Sequence, residues 1–213
     1  MITASATDTV STILFDADGV LQRTAPGWRE ELLGFLGPRA AADGDAFLYE
    51  IFVAEVPTMT GRTDFGEPLA EILHRFGVSA SVDEVLAPST RIIRDAAMLD
   101  AVQELRAAGV RCCLATNQQS RRAAFMRANL GYDQTFDEQF YSCDLGLAKP
   151  DPDYFTAIVD RLGARAGSIL FVDDKEENVA GARAAGLRAE LFTRNSGRPM
   201  LELILRRHGL SGA

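Results

Sequence analysis

Thr12-Ile13-Leu14-Phe15-Asp16-Ala17-Asp18-Gly19-Val20 runs four strand-forming residues straight into a carboxylate, a small residue, a second carboxylate and a glycine. A continuous apolar run reads as a strand buried on both faces, given helical segments later in the chain to cover it. Asp16 then stands where a parallel strand ends, the edge at which open α/β sheets place their ligands. Side chains alternate along an extended backbone, so Asp16 and Asp18 can point to the same side. Gly19 lets the chain turn away sharply behind them. Such a pair suits a nucleophile with an acid/base partner, or a hard-cation site. It is equally compatible with a polar turn that closes a strand. The other segments have to decide.

Downstream of this stretch, residues 21–98 lack strong strand runs and carry helical patterns broken by Gly and Pro. Trp28, Leu32, Leu33, Phe35 and Leu36 form one apolar face, stopped by Gly37-Pro38. Phe47, Leu48, Ile51 and Phe52 form a second over 45–56, ended by Pro57. Leu69, Ile72, Leu73 and Phe76 form a third, and a further helical stretch is expected after Pro88. These aromatics are read as packing between helices of an inserted subdomain. Arg62 sits in the polar loop Thr60-Gly61-Arg62-Thr63-Asp64, where it either reaches an anionic substrate or stays solvated.

From residue 99 onward helix and strand alternate. The pattern predicts a helix over 99–108, a strand over 110–117 ending in Thr116-Asn117, and a helix over 120–130. A short strand follows over 139–142, then Lys149-Pro150-Asp151-Pro152. Asp151 is a good N-cap and Pro152 a good first helical residue, launching a helix over 152–162. The run 168–172 is another buried strand leading into Asp173-Asp174. A helix over 176–185 follows, with Ala180, Gly181, Ala182, Ala184 and Ala185 read as allowing close approach to the sheet. A strand over 188–192 and a helix over 200–207 complete the pattern. This is an α/β chain with a parallel sheet covered on both faces and an inserted helical unit.

Composition narrows the function. Apolar residues make up 47% of 213, enough to bury a core, and the net charge is −8. An acidic chain without a basic stripe argues against nucleic-acid binding. No apolar run reaches the roughly 18 residues of a membrane helix, so no membrane partner is expected. Residues 1–11 are polar and are read as a frayed leader rather than a secretory signal. Cys112, Cys113 and Cys143 suggest no disulfide framework and fit a reducing, cytoplasmic setting. With His74 and His208 far apart, any metal is expected on oxygen ligands.

Polar groups therefore end four elements: Asp16 with Asp18, Thr116 with Asn117, Lys149, and Asp173 with Asp174. In a parallel sheet these ends share one edge. Each has a task if the substrate is a phosphate ester: a carboxylate to attack phosphorus, and a second carboxyl to protonate the leaving alcohol. A Mg²⁺ held by carboxylates screens the anions, while hydroxyl, N–H and Lys groups neutralise phosphoryl oxygens.

With these motifs in this order the sequence resembles the haloacid dehalogenase superfamily of phosphohydrolases, from Ile13 to about Phe192. The resemblance implies a Rossmann-like core over 1–20 and 99–213 and a C1-type helical cap over 21–98. It implies Asp16 as nucleophile and Mg²⁺ ligand, and Asp18 as acid/base with its backbone carbonyl on the metal. Thr116, Asn117 and Lys149 would bind the phosphoryl group, with Arg62 added from the cap. Asp174 would be a direct metal ligand and Asp173 a water-mediated or Lys149-paired partner. Many members carry an Asp where this chain has Asn178. The implied activity is Mg²⁺-dependent hydrolysis of a small, sugar-phosphate-like ester by a monomer or homodimer. A phosphomutase uses the same residues, and a receiver-like phospho-acceptor module is the reading from another class.

Overall fold

A computed structural model describes residues 9–194 and 196–210; of the expected leader, 1–8 lie outside the described residues. Its other end is not frayed. Val10 is buried in the core, and Ser11 donates its N–H to Ser168 O at 3.0 Å.

Among the described residues there are seven strands: β1 (Thr12–Phe15), β2 (Gln22–Thr24), β3 (Ile92–Arg94), β4 (Arg111–Thr116), β5 (Glu138–Tyr141), β6 (Ile169–Asp173) and β7 (Arg188–Leu191). Five form one sheet in the order β5-β4-β1-β6-β7, and every pairing in it is parallel. The opening strand is central, which explains its unbroken apolar character. Ile13 and Phe15 pack into one hydrophobic cluster and Leu14 into another, so the side-chain alternation feeds both faces. Cys112 and Leu114 against Cys113 and Ala115, and Leu170 and Val172 against Ile169 and Phe171, repeat the division.

The inserted helices are α1 (Trp28–Gly34), α2 (Ala40–Glu55), α3 (Gly66–Arg75) and α4 (Val82–Thr90). They build a separate cluster from Leu32, Phe47, Ile51, Leu69, Ile72 and Val85, among others. The chain enters and leaves this unit through an antiparallel pair, β2 with β3. Sequence reading missed both strands because each is three residues long and β2 is Gln-Arg-Thr. The helix expected after Pro88 is not there. Pro88 lies in the last turn of α4, and the β-branched pair Ile92-Ile93 continues as strand. Leu21 and Met98, at the ends of the expected unit, pack into a cluster of the sheet.

The remaining helices are α5 (Ala96–Ala107), α6 (Ser120–Asn129), α7 (Tyr132–Thr135), α8 (Ser142–Leu145), α9 (Pro152–Leu162), α10 (Glu176–Ala184) and α11 (Gly197–Arg207). Residues of α5, α6 and α11 join the cluster on one face of the sheet, and those of α9 and α10 join the other. Helix α5 begins three residues before its predicted start because Asp95 caps it, accepting from Met98 N at 3.2 Å. Asp151 caps α9 as expected, accepting from Asp153 N at 2.9 Å. Gly181 makes its close approach to the Pro150 carbonyl and the Phe155 ring, not to the sheet. A Cβ there would push on the turn that carries Lys149.

Candidate active site

Register sets the site. Phe15 pairs with Leu114 on one side and Val172 on the other, so the next residue on each strand lies level with Asp16: Ala115 and Asp173. The Asp16 N–H donates to Val172 O at 2.9 Å. Lys149, from the turn before α9, reaches into this row with its side chain 1% exposed. Its ammonium donates to Asp16 Oδ1 at 2.7 Å, Asp173 Oδ2 at 2.7 Å and Ala115 O at 3.0 Å, which uses all three of its protons. Burial works against that charge, but the two carboxylates outweigh it and hold Lys149 protonated above its ordinary range. Burial pushes Asp16 up to about 7, opposed by Lys149 and assisted by Asp173.

Asp173 is fully engaged. Besides Lys149 it accepts from Lys175 N at 2.8 Å, and Asn178 Nδ2 stands 3.0 Å from each of its oxygens. A carboxylate in place of Asn178 would face Asp173 with like charge. Asp174 differs: Oδ2 takes the Arg194 guanidinium, while Oδ1 is buried with no partner among the described residues. An orphaned buried carboxylate oxygen is costly.

Asp16, Asp173 and Asp174 offer ligand oxygens within 4.8 Å of one another. Three carboxylates against the Lys149 ammonium and the Arg194 guanidinium still leave an excess of negative charge. Together with the orphaned oxygen, this fits a hard divalent cation such as Mg²⁺, which takes oxygen ligands.

Asp18 lies two residues beyond Asp16 and lines the same cavity. Arg122, on α6, grips it with two bonds, NH1 to Oδ2 at 2.6 Å and NH2 to Oδ1 at 2.9 Å. Gln118 donates to Oδ2 at 2.8 Å and Gln22 to Oδ1 at 3.1 Å. Burial alone would raise Asp18; the Arg122 charge and these hydrogen bonds outweigh it and bring the carboxyl down to about 2. Arg122 also donates to Ser89 O at 3.1 Å, tying the acidic pair to the end of α4. Glu55, at the end of α2, lies near the same guanidinium, and burial raises its carboxyl despite that charge.

The structure brings Asp16, Asp18, Thr116, Asn117, Lys149, Asp173 and Asp174 together at one sheet edge, most of them on a cavity of about 770 Å³. Thr116 is buried and accepts from Gln118 at 3.0 Å. The Asn117 amide has a task not expected from sequence: Nδ2 donates to Lys149 O at 2.8 Å and Oδ1 accepts from Lys149 N at 3.0 Å. It fastens the Lys149 turn. Arg62 is not brought to the site; it is exposed and outside the residues lining the cavity. Sequence reading missed Arg122, Gln118, Gln22, Glu55 and Arg194. Arg122 had a signal, since it shares the buried face of α6 with Ala123 and Met126, where an unpaired charge would be expensive.

The rat bifunctional epoxide hydrolase 2 is 28% identical over 110 residues, which span 50% of this chain and 20% of that protein. A phosphoglycolate phosphatase of Cereibacter sphaeroides is 29% identical over 189 residues, spanning 85% of this chain and 84% of the relative. The phosphorylated carbohydrates phosphatase of Thermotoga maritima is 23% identical, spanning 89% of each. A HAD family enzyme of Bacteroides thetaiotaomicron, in complex with magnesium and inorganic phosphate, superposes with a TM-score of 0.75 at 20% identity, covering 90% of this chain and 98% of that one. The Bacteroides structure shares the fold, and the two phosphatase relatives point to a phosphatase-type hydrolase. The family model for haloacid dehalogenase-like hydrolases matches residues 10–186, and the chain belongs to that family.

Proposed function

We propose that this hydrolase is a Mg²⁺-dependent phosphomonoesterase acting on a small phosphate ester through an aspartyl-phosphate on Asp16. The observation that carries the reading is the buried Asp16–Lys149–Asp173 cluster beside the orphaned oxygen of Asp174. Asp16 and Asp174, with the Asp18 backbone carbonyl, would hold the Mg²⁺, and Asp173 supports the site through Lys149. Bound there, the cation would offset negative charge between carboxylates and the phosphoryl group.

Lys149 fixes Asp16 by Oδ1, and the other oxygen attacks phosphorus as the bond to the leaving alcohol breaks. Asp18 gives that alcohol a proton, then takes one from the water that attacks the aspartyl-phosphate and frees Asp16. The approaching phosphate adds negative charge beside Asp18 and raises its proton affinity from the low resting value, so that Asp18 takes up from solvent the proton it then gives to the alcohol. Thr116 and Lys149 steady the phosphoryl oxygens. The helical unit within 21–98 acts as a cap that shields the transfer from water. Relatives named for phosphoglycolate and phosphorylated carbohydrates support small phosphorylated substrates.

Rapid-quench labelling with a ³²P-labelled ester tests this. Label on the wild-type protein that chases to inorganic phosphate, and is missing from Asp16→Asn, is the expected result. Label that chases to an isomeric phosphate ester would make the protein a mutase, and stable label without turnover would make it a phospho-acceptor.

A further inference from the structure

The cavity has two walls of opposite character. Of its cationic side chains, Arg122, Lys149, Lys175 and Arg194 come from core segments, and Arg23 comes from β2 in the hairpin that leads into the inserted helices. Three are already paired, with Asp18, with Asp16 and Asp173, and with Asp174; Arg23 and Lys175 are exposed at the rim. The inserted unit contributes Trp28, Phe52, Glu55, Val56, Met59 and Ser89. That set holds four apolar side chains, one carboxyl and no cation.

This apolar wall is open. Among the described residues seven large hydrophobics are exposed, and Phe52, Val56 and Ile93 of these line the cavity, at 39%, 67% and 37% exposure. Two more, Tyr49 and Val53, lie on the same helix as Phe52, three residues before it and one after. Trp28 and Phe52 meet edge to face at 5.9 Å between centroids, which gives the wall a firm aromatic patch. Exposed apolar surface concentrated at one place marks a binding surface. Here it is continuous with the phosphoryl site, so its occupant is the rest of the substrate.

We infer that the leaving alcohol is uncharged and carries an apolar body, alkyl or aryl, that lies against Trp28, Phe52, Val56 and Met59. This rests on the phosphatase reading above and narrows it. A leaving group with a second anion lying against the inserted helices would meet Glu55 and no cation, since Arg23 stands at the rim on the β2–β3 hairpin. A polyhydroxylated sugar would desolvate its hydroxyls against Trp28, Phe52, Val56 and Met59, which offer no hydrogen-bonding oxygen.

The test is phosphate release by the Mg²⁺-loaded protein from ethyl, butyl and hexyl phosphate, glucose 6-phosphate, phosphoglycolate, phosphoethanolamine and p-nitrophenyl phosphate. The expected kcat/KM rises about two- to fourfold per methylene along the alkyl series. Hexyl phosphate should exceed the sugar, carboxylate and amine esters by about tenfold or more. In Phe52→Ser/Val56→Ser the hexyl-to-ethyl ratio should fall toward one; both side chains are exposed enough for the fold to tolerate the change. Turnover of p-nitrophenyl phosphate with a flat alkyl series, or with a charged or sugar ester preferred, would overturn this inference alone. No release from any ester would overturn the phosphatase reading and this inference with it.

Discussion

The sheet edge and the inserted wall face each other across one cavity and are built on opposite principles. At the edge the carboxylates are paired with cations: Asp16 and Asp173 with Lys149, Asp18 with Arg122, Asp174 with Arg194. On the wall large apolar groups stand open to solvent. The edge is pre-arranged for one reaction and has no slack for a different residue. The wall has few directional contacts, so its composition can change without disturbing the chemistry.

The sharpest way to break this contrast is on the edge. Asp18→Asn is expected to lower kcat/KM by roughly 10²–10⁴-fold on alkyl phosphates, the usual range for losing a general acid/base. Steady-state kinetics checks it, and normal turnover would remove Asp18 from that role. Lys149→Met should lose about 3–5 kcal/mol of unfolding free energy, because it strands Asp16 and Asp173 together in the interior. Denaturant titration reads this directly.

The two regions also separate by stability. Leu14→Ala, in the central strand, is expected to cost about 2–5 kcal/mol. Phe52→Ser, on the open wall, should cost less, about 0.5–1.5 kcal/mol, chiefly the lost contact with Trp28. Equal losses would mean that the wall is structural packing.

The same difference explains what was legible in sequence. The strands β1, β4 and β6 announce themselves because burial on both faces leaves no polar positions. Their polar exits, Asp16, Thr116 and Asp173, follow from where those runs stop. The hairpin β2–β3 gave no such signal, since it is short and lies at the margin of the core. Helix α2 misled for a physical reason. Phe47, Leu48 and Ile51 are buried as expected, but Phe52 from the same apolar set opens onto the cavity. A helix that is apolar on two faces has one period and two destinations. Partners such as Arg122 and Gln118 come to Asp18 from about 100 residues away, and only the register of β1 with β4 brings them there.

A smaller effect concerns the buried acids of the core. Burial raises Cys112 and Cys113 to about 12, and Tyr141 to about 12. Below about pH 8 these groups are protonated in both states. From about pH 8 upward the unfolded chain releases protons that the native chain keeps, so stability falls as pH rises toward 12. The slope is up to about 1.4 kcal/mol per pH unit for each group. Chemical denaturation between pH 8 and 11 checks the sign; stability that rises across this range would contradict it.

The most direct test is phosphate release from p-nitrophenyl phosphate with and without Mg²⁺, comparing the native protein with Asp16→Asn. Turnover that requires Mg²⁺ and falls by roughly 10³-fold or more in the variant is the expected result. Activity that survives Asp16→Asn would contradict the assignment of Asp16 as the nucleophile.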